Sequence, residues 1–392
     1  MRSALILLSI TYIMSQFYRA FLAVLAPDLQ SELGATEAQL SSASGMWFII
    51  FALAQLPVGW ALDHIGPRRT TSILVVLGAG GGAALFGLAT TPWHLTASMG
   101  LIGIGCAPML MASFYILARG YPAVIFATFA GIVIAVGNIG NIGASKPLVW
   151  MMEAFGWRDT MFILAAITAF LGILIWFIVR DPPKLATKGG EGVLSLLRIP
   201  ALWLIFPLII VNYAPAAAIR GLWIGPYLDQ IHGASADVIG NVTLLMGAAM
   251  VLGSAVYGPL DRIFGTRKWV ILGGSMIGMV FCLALASFGG TGIWVATITA
   301  SILGIAGTAF PVVVAHAKSF VPPHLTGRGV TLINMFGIGG VGVLQMLSGK
   351  VFDGAIGRGL PTETAFNTVF FFFAGSMAIG AFVYLFSQDR LD

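Results

Sequence analysis

Three basic residues lie inside long apolar runs: Arg19 in SQFYRAFLAVLAP, Lys146 in AVGNIGNIGASKPLV and Arg220 in NYAPAAAIRGLWIGP. A guanidinium near a bilayer centre costs about 2.5–3.5 kcal/mol even on a lenient insertion scale, so a cation kept there is a candidate for function. Arginine suits an anion: its planar fork makes bidentate hydrogen bonds to carboxylate or phosphate, and it stays charged at any relevant pH. Seven residues before each arginine stands a tyrosine, Tyr12 and Tyr213, two turns away on the same face of an unbroken helix. Gln16 lies between Tyr12 and Arg19, and a proline after each arginine, Pro27 and Pro226, is expected to close the span. Arg19, Arg220, Tyr12, Tyr213 and Gln16 are therefore the expected substrate ligands; the alternative for each arginine is a bond to helix-end carbonyls or snorkelling to the periplasmic face. Lys146 is either a further ligand or a side chain snorkelling to the interface.

The remaining titratable residues narrow the chemistry. All 15 acidic residues fall in loops or at predicted helix ends, so nothing negative neutralises the two arginines within the apolar runs. His316, in FPVVVAHAKSF, is the one histidine inside a predicted helix; it would either carry a coupling proton or serve as an interfacial residue. Cys106 and Cys282 sit apart in apolar runs, which leaves neither a disulfide framework nor a metal cluster, and no cofactor is implied. An intramembrane enzyme would need a nucleophile with its base or a metal constellation, and these residues supply neither.

The elements that must hold these residues are transmembrane helices. The 392 residues are 58% hydrophobic and 9% charged, against about 25% charged in soluble domains. Twelve apolar stretches of bilayer length are centred near residues 15, 51, 80, 105, 137, 169, 214, 248, 279, 304, 340 and 376. The expected fold is an all-α integral membrane protein: an N-terminal six-helix half at 1–180, a cytoplasmic linker at 181–200, and a C-terminal half at 201–392. With both termini cytoplasmic, fourteen of the 20 Lys and Arg residues fall on the cytoplasmic side and three, Arg158, Lys350 and Arg358, on the other. The basic residues follow membrane topology and form no nucleic-acid patch. The first span lacks a cleavage site and is expected to be retained.

The two halves share a loop pattern. GWALDHIGPRRT at 59–70 and GPLDRIFGTRKW at 258–269 both present Leu-Asp, a glycine and paired basic residues. This resembles the loop signature of the major facilitator superfamily, whose twelve-helix arrangement would cover the whole chain. The resemblance implies a secondary transporter, a monomer working by alternating access in the inner membrane. It also implies a gating clasp made by Asp63, Gly66, Arg68 and Arg69 in one half and Asp261 and Arg267 in the other. Aligned on the loops, Gly59 follows Arg19 by 40 residues and Gly258 follows Arg220 by 38, so the arginines occupy nearly equivalent positions.

Two branches of that superfamily are resembled in part. Arginines in helices 1 and 7 resemble the organophosphate:phosphate antiporters. Gly137, Asn138 and Gly140 resemble the G-N-x-G signature of nitrate/nitrite porters, which carry their substrate arginines in helices 2 and 8. Here those helices offer Gln55 and Asn241 and no cation. Asn138 and Asn141 are either substrate ligands or helix–helix hydrogen-bond groups. The expected function is transport of a small organic or phosphorylated anion, clamped by Arg19 and Arg220, by exchange, uniport or proton symport. The alternative is a proton-coupled drug or metabolite exporter, although such exporters rely on an intramembrane carboxylate.

Overall fold

The computed structural model describes residues 2–120, 123–182, 193–322 and 325–391. Half of the predicted linker, residues 183–192, lies outside the described residues. Among the described residues, ten helices are long and apolar enough to cross a membrane, and a bent pair adds an eleventh. In chain order the helices are α1 (Arg2–Phe17 continued by Leu22–Leu33), α2 (Glu37–His64), α3 (Pro67–Gly87), α4 (Pro92–Gly120) and α5 (Ala123–Gly143), the last contributing only the shorter apolar stretch Gly131–Gly143 and standing outside those eleven. Lys146–Ile178 is divided by Gly156, whose φ of 76° breaks the helix; the part before Gly156 prolongs α5, and residues 157–178 are α6. The second set is α7 (Pro200–His232), α8 (Ala236–Phe264), α9 (Lys268–Phe288), α10 (Ile293–Lys318), α11 (Thr326–Ile356) and α12 (Thr362–Tyr384). The chain divides into two compact units, Met1–Thr187 and Lys188–Asp392.

Helices prevail because lipid offers no partner to a backbone amide, so each span must satisfy its own. Apolar side chains cover the outside: Leu77, Phe177, Trp294 and Ile379 are each at least two-thirds exposed, the pattern of a lipid-facing surface. No aspartate or glutamate is buried among the described residues. Inside the first unit, α1 meets α5 closely: a side chain at Gly137 would strike the Tyr12 ring, and one at Gly140 would strike the Ile13 carbonyl. The glycines of the G-N-x-G element thus permit this crossing.

The helices carrying the arginines are not regular. After Phe17, residues 18–21 form a turn, and the two parts of α1 are bent by 48°. In α7 the chain bends at Tyr213 and passes through a π-helical turn at Ile219–Trp223. Pro27 and Pro226, expected to close the spans, lie inside helices that run on to Leu33 and His232. A proline clashes with the carbonyl four residues earlier. For Pro226 that residue is Leu222, inside the π turn, and for Pro27 it is Ala23, just past the break, so the backbone is already adjusted where each ring needs room.

Candidate functional site

Each arginine sits on one of these irregularities. Arg19 lies in the turn at 18–21, and Arg220 lies in the π turn, where it is 4% exposed. A π turn inside an α-helix is uncommon and is found often at functional sites. The matched depth inferred from the sequence therefore comes with a matched loss of α-helical geometry. The same irregularities correct the tyrosine spacing, because seven residues make two turns only on an unbroken helix.

In the first unit, Arg19 is surrounded by rings and small polar groups. Its guanidinium carbon lies 5.1 Å from the centroids of both Trp47 and Phe51 on α2. No carboxylate comes within salt-bridge distance of it among the described residues, and its Nε is buried without a hydrogen-bond acceptor. Ser15, Trp47 and Arg19 all flank the Cys106 thiol of α4, a weak acceptor that neither the serine hydroxyl nor the indole N–H meets in hydrogen-bond geometry. Tyr12 accepts a 2.8 Å hydrogen bond from the Gln16 amide, and both are buried.

Asn141 donates to the Asn138 side chain at 3.4 Å, and both are half-buried on α5. Lys146 does not lie within a continuous fifth helix as expected. It opens the helix that resumes after a break at Ala144–Ser145, and it is half-buried. In the second unit, Arg220 lies within electrostatic range of Tyr213, whose ring is 5.9 Å from that of Phe310, and packs against Gly247 of α8. Gln55 donates to the Phe51 carbonyl, and Asn241 to Asp237. Trp223, the last residue of the π turn, donates to the Ser348 hydroxyl at 2.9 Å and is wholly buried.

The loop residues form two polar assemblies. Asp63 pairs with Arg119 at the end of α4, 2.9 Å apart, where the sequence pattern pointed to its own loop. Gly66 adopts φ 108°, and a side chain there would collide with the Asp181 carboxylate. Asp181 accepts from the Arg68 amide at 2.8 Å, capping the start of α3. Arg68 lies over the Trp176 ring and donates to the Trp176 carbonyl, while Arg69 is exposed. In the second unit, Asp261 pairs with Arg267 at 3.2 Å. Asp389 accepts from the Thr266 hydroxyl and from the amides of Arg267 (3.2 Å) and Lys268 (3.0 Å). Asp181 and Asp389 thus play one part in the two units, and neither was singled out in the sequence.

His316 is buried and held at both ring nitrogens. Nδ1 meets the Tyr384 hydroxyl at 2.6 Å, and Nε2 meets the Gln388 carbonyl at 3.0 Å. Since a carbonyl only accepts, Nε2 carries a proton. The histidine thereby fastens the residues after α12 to the end of α10.

Comparison with known proteins bears on this arrangement. The Major Facilitator Superfamily profile matches residues 8–224 and again 216–391. The D-galactonate transporter of Escherichia coli O6:H1 is 29% identical over 194 residues, which make up 50% of this chain and 45% of that protein. A putative tartrate transporter of Agrobacterium vitis is 23% identical over 409 aligned positions, covering 96% of this chain and 88% of its own. The crystal structure of a D-xylose–proton symporter superposes with a TM-score of 0.77 at 15% identity, covering 98% of this chain and 97% of that one.

Proposed function

The chain belongs to the major facilitator superfamily, and on that premise we propose that it is a secondary transporter of a small organic anion, with Arg19 and Arg220 as the two charged ligands. One observation carries the proposal: each unit keeps one arginine at an interruption of its first helix, among helices whose described buried residues include no aspartate or glutamate. A cation kept inside an apolar span is costly, and a bound anion would offset that cost at each arginine. The names of the similar proteins, a D-galactonate transporter and a putative tartrate transporter, support an organic acid as cargo.

The mechanism follows from the electrostatics. An anion binds where the arginine forks, with Tyr12, Gln16 and Tyr213 as neutral hydrogen-bonding groups, and the empty carrier is less free to isomerise than the loaded one. Alternating access then couples cargo to conformational change, with the Asp63–Arg119 and Asp261–Arg267 pairs remade in each cycle. Exchange of one anion for another is the favoured mode; His316 is the group through which a proton would couple if the carrier is a symporter. The orientation proposed places both termini in the cytoplasm, in the inner membrane.

The test is uptake into proteoliposomes of labelled galactonate, tartrate, phosphate and a phosphate ester by wild type, Arg19→Gln and Arg220→Gln. One or more anions should enter through the wild type, and each variant should lose at least about 100-fold in uptake, consistent with removal of a charged hydrogen-bond pair worth roughly 3 kcal/mol. Folded variants that transport as well as wild type would remove the arginines from the site and bring the exporter alternative forward.

A further inference from the structure

The arginine of the first unit is held by rings and not by an acid. Trp47 and Phe51 stand four residues apart on α2, and their rings stack with centroids 4.9 Å apart and planes 15° apart. Arg19 lies 5.1 Å from each. The pair is rigid: Trp47 is wholly buried and Phe51 is 5% exposed. Trp47 also packs edge-on against Phe48 at 5.0 Å. Beneath it runs α4, so close that a side chain at Gly103 would come within 2.6 Å of the Trp47 carbonyl.

What a ring offers a cation differs from what a carboxylate offers. The π face attracts a guanidinium through its quadrupole and accepts no fork of N–H donors. A carboxylate would accept that fork and then compete with any anionic ligand for it. A cation between helices with no attractive neighbour would swing away from its working position. The stacked pair holds the cation in place and leaves its hydrogen-bond donors unspent.

We propose that Trp47 and Phe51 are positioning residues: a ring platform that keeps Arg19 presented to the anion and sets the affinity of the first unit's half of the site. The proposal rests on the anion-transport reading, and the two can fail separately. The full chain in proteoliposomes is assayed for KM and maximal rate with galactonate and tartrate. The substitutions are Trp47→Leu, Trp47→Phe and Phe51→Leu, together with phenylalanines carrying one to three ring fluorines at position 51.

Fluorination weakens the π face while keeping the ring's shape, so these variants fold even if the leucine variants do not. The expected result is a KM that rises stepwise with each fluorine, and by about 2- to 30-fold in Trp47→Leu and Phe51→Leu. The maximal rate should stay within about two-fold, and Trp47→Phe should recover most of the affinity. A flat fluorine series with Arg19→Gln inactive overturns the platform alone. Unimpaired Arg19→Gln, or a wild type that moves none of galactonate, tartrate, phosphate and the phosphate ester, overturns both the platform and the reading beneath it.

Discussion

Asp389 is the residue whose titration can be followed outside the membrane spans. Burial raises its carboxyl, but the Thr266 hydroxyl and the amides of Lys268 and Arg267 outweigh burial and hold it below the usual carboxylate range. A carboxyl depressed on folding contributes stability above its unfolded pKa of about 3.9, and that contribution is lost as pH falls through the lower folded value. The melting temperatures of wild type and Asp389→Asn in detergent should therefore differ at pH 6 and converge below about pH 4; a constant gap across that range would remove the carboxylate from the fastening. At this scale the sequence was only partly legible. Arg19 and Arg220 stood out because a charge in an apolar run is conspicuous. Trp47 and Phe51 did not, since aromatic residues four apart on a membrane helix look like ordinary lipid-facing or packing positions. Asp181 and Asp389 carried a faint signal, an acid beside an arginine just past the sixth and twelfth spans in RDP and QDR, but they lie outside the loop repeat on which the halves were aligned.

Helices were easier to find than their defects. Span centres follow from hydropathy alone, and each predicted centre falls within its helix. Hydropathy has no term for backbone phase, however, so the turn at 18–21, the π turn at 219–223 and the break at Ala144–Ser145 were invisible, and the prolines pointed to helix ends that are not there. The G-N-x-G element shows how one pattern can carry two meanings. Its glycines lie where α5 crosses α1, and a side chain at Gly140 would meet backbone, which cannot turn aside as a flexible side chain can. Overpacking of this kind costs about 1–3 kcal/mol or more. Gly140→Leu should accordingly lower the melting temperature by several degrees and reduce uptake, whereas Gly131→Leu on the same helix, with open space around it, should leave both near wild type. Equal tolerance at the two positions would remove close packing as the reason for the motif.

For the whole molecule, the asymmetry of basic residues in the sequence predicts that the α2–α3 and α8–α9 loops face one side of the membrane and the α11–α12 loop the other. The native thiols make this convenient to check, because Cys106 and Cys282 are at most 1% exposed and should ignore a membrane-impermeant maleimide. Arg69→Cys and Arg262→Cys are expected to label only from the cytoplasmic side of oriented vesicles, and Arg358→Cys only from the opposite side; labelling of Arg69→Cys and Arg358→Cys from the same side would break the topology. The twelve-helix plan was readable because duplication writes the same loop twice. The polar fastenings differ between copies, Asp63 reaching α4 and Asp261 staying within its own loop, and no alignment of one half on the other foretells that. The two caps share a further property. Asp181 follows the last helix of its unit by three residues, and Asp389 belongs to the final residues of the second. Each ties the tail of its own unit back onto that unit's third helix. The chain is therefore severable: a cut anywhere in residues 183–192 leaves both knots whole, each on the fragment it closes.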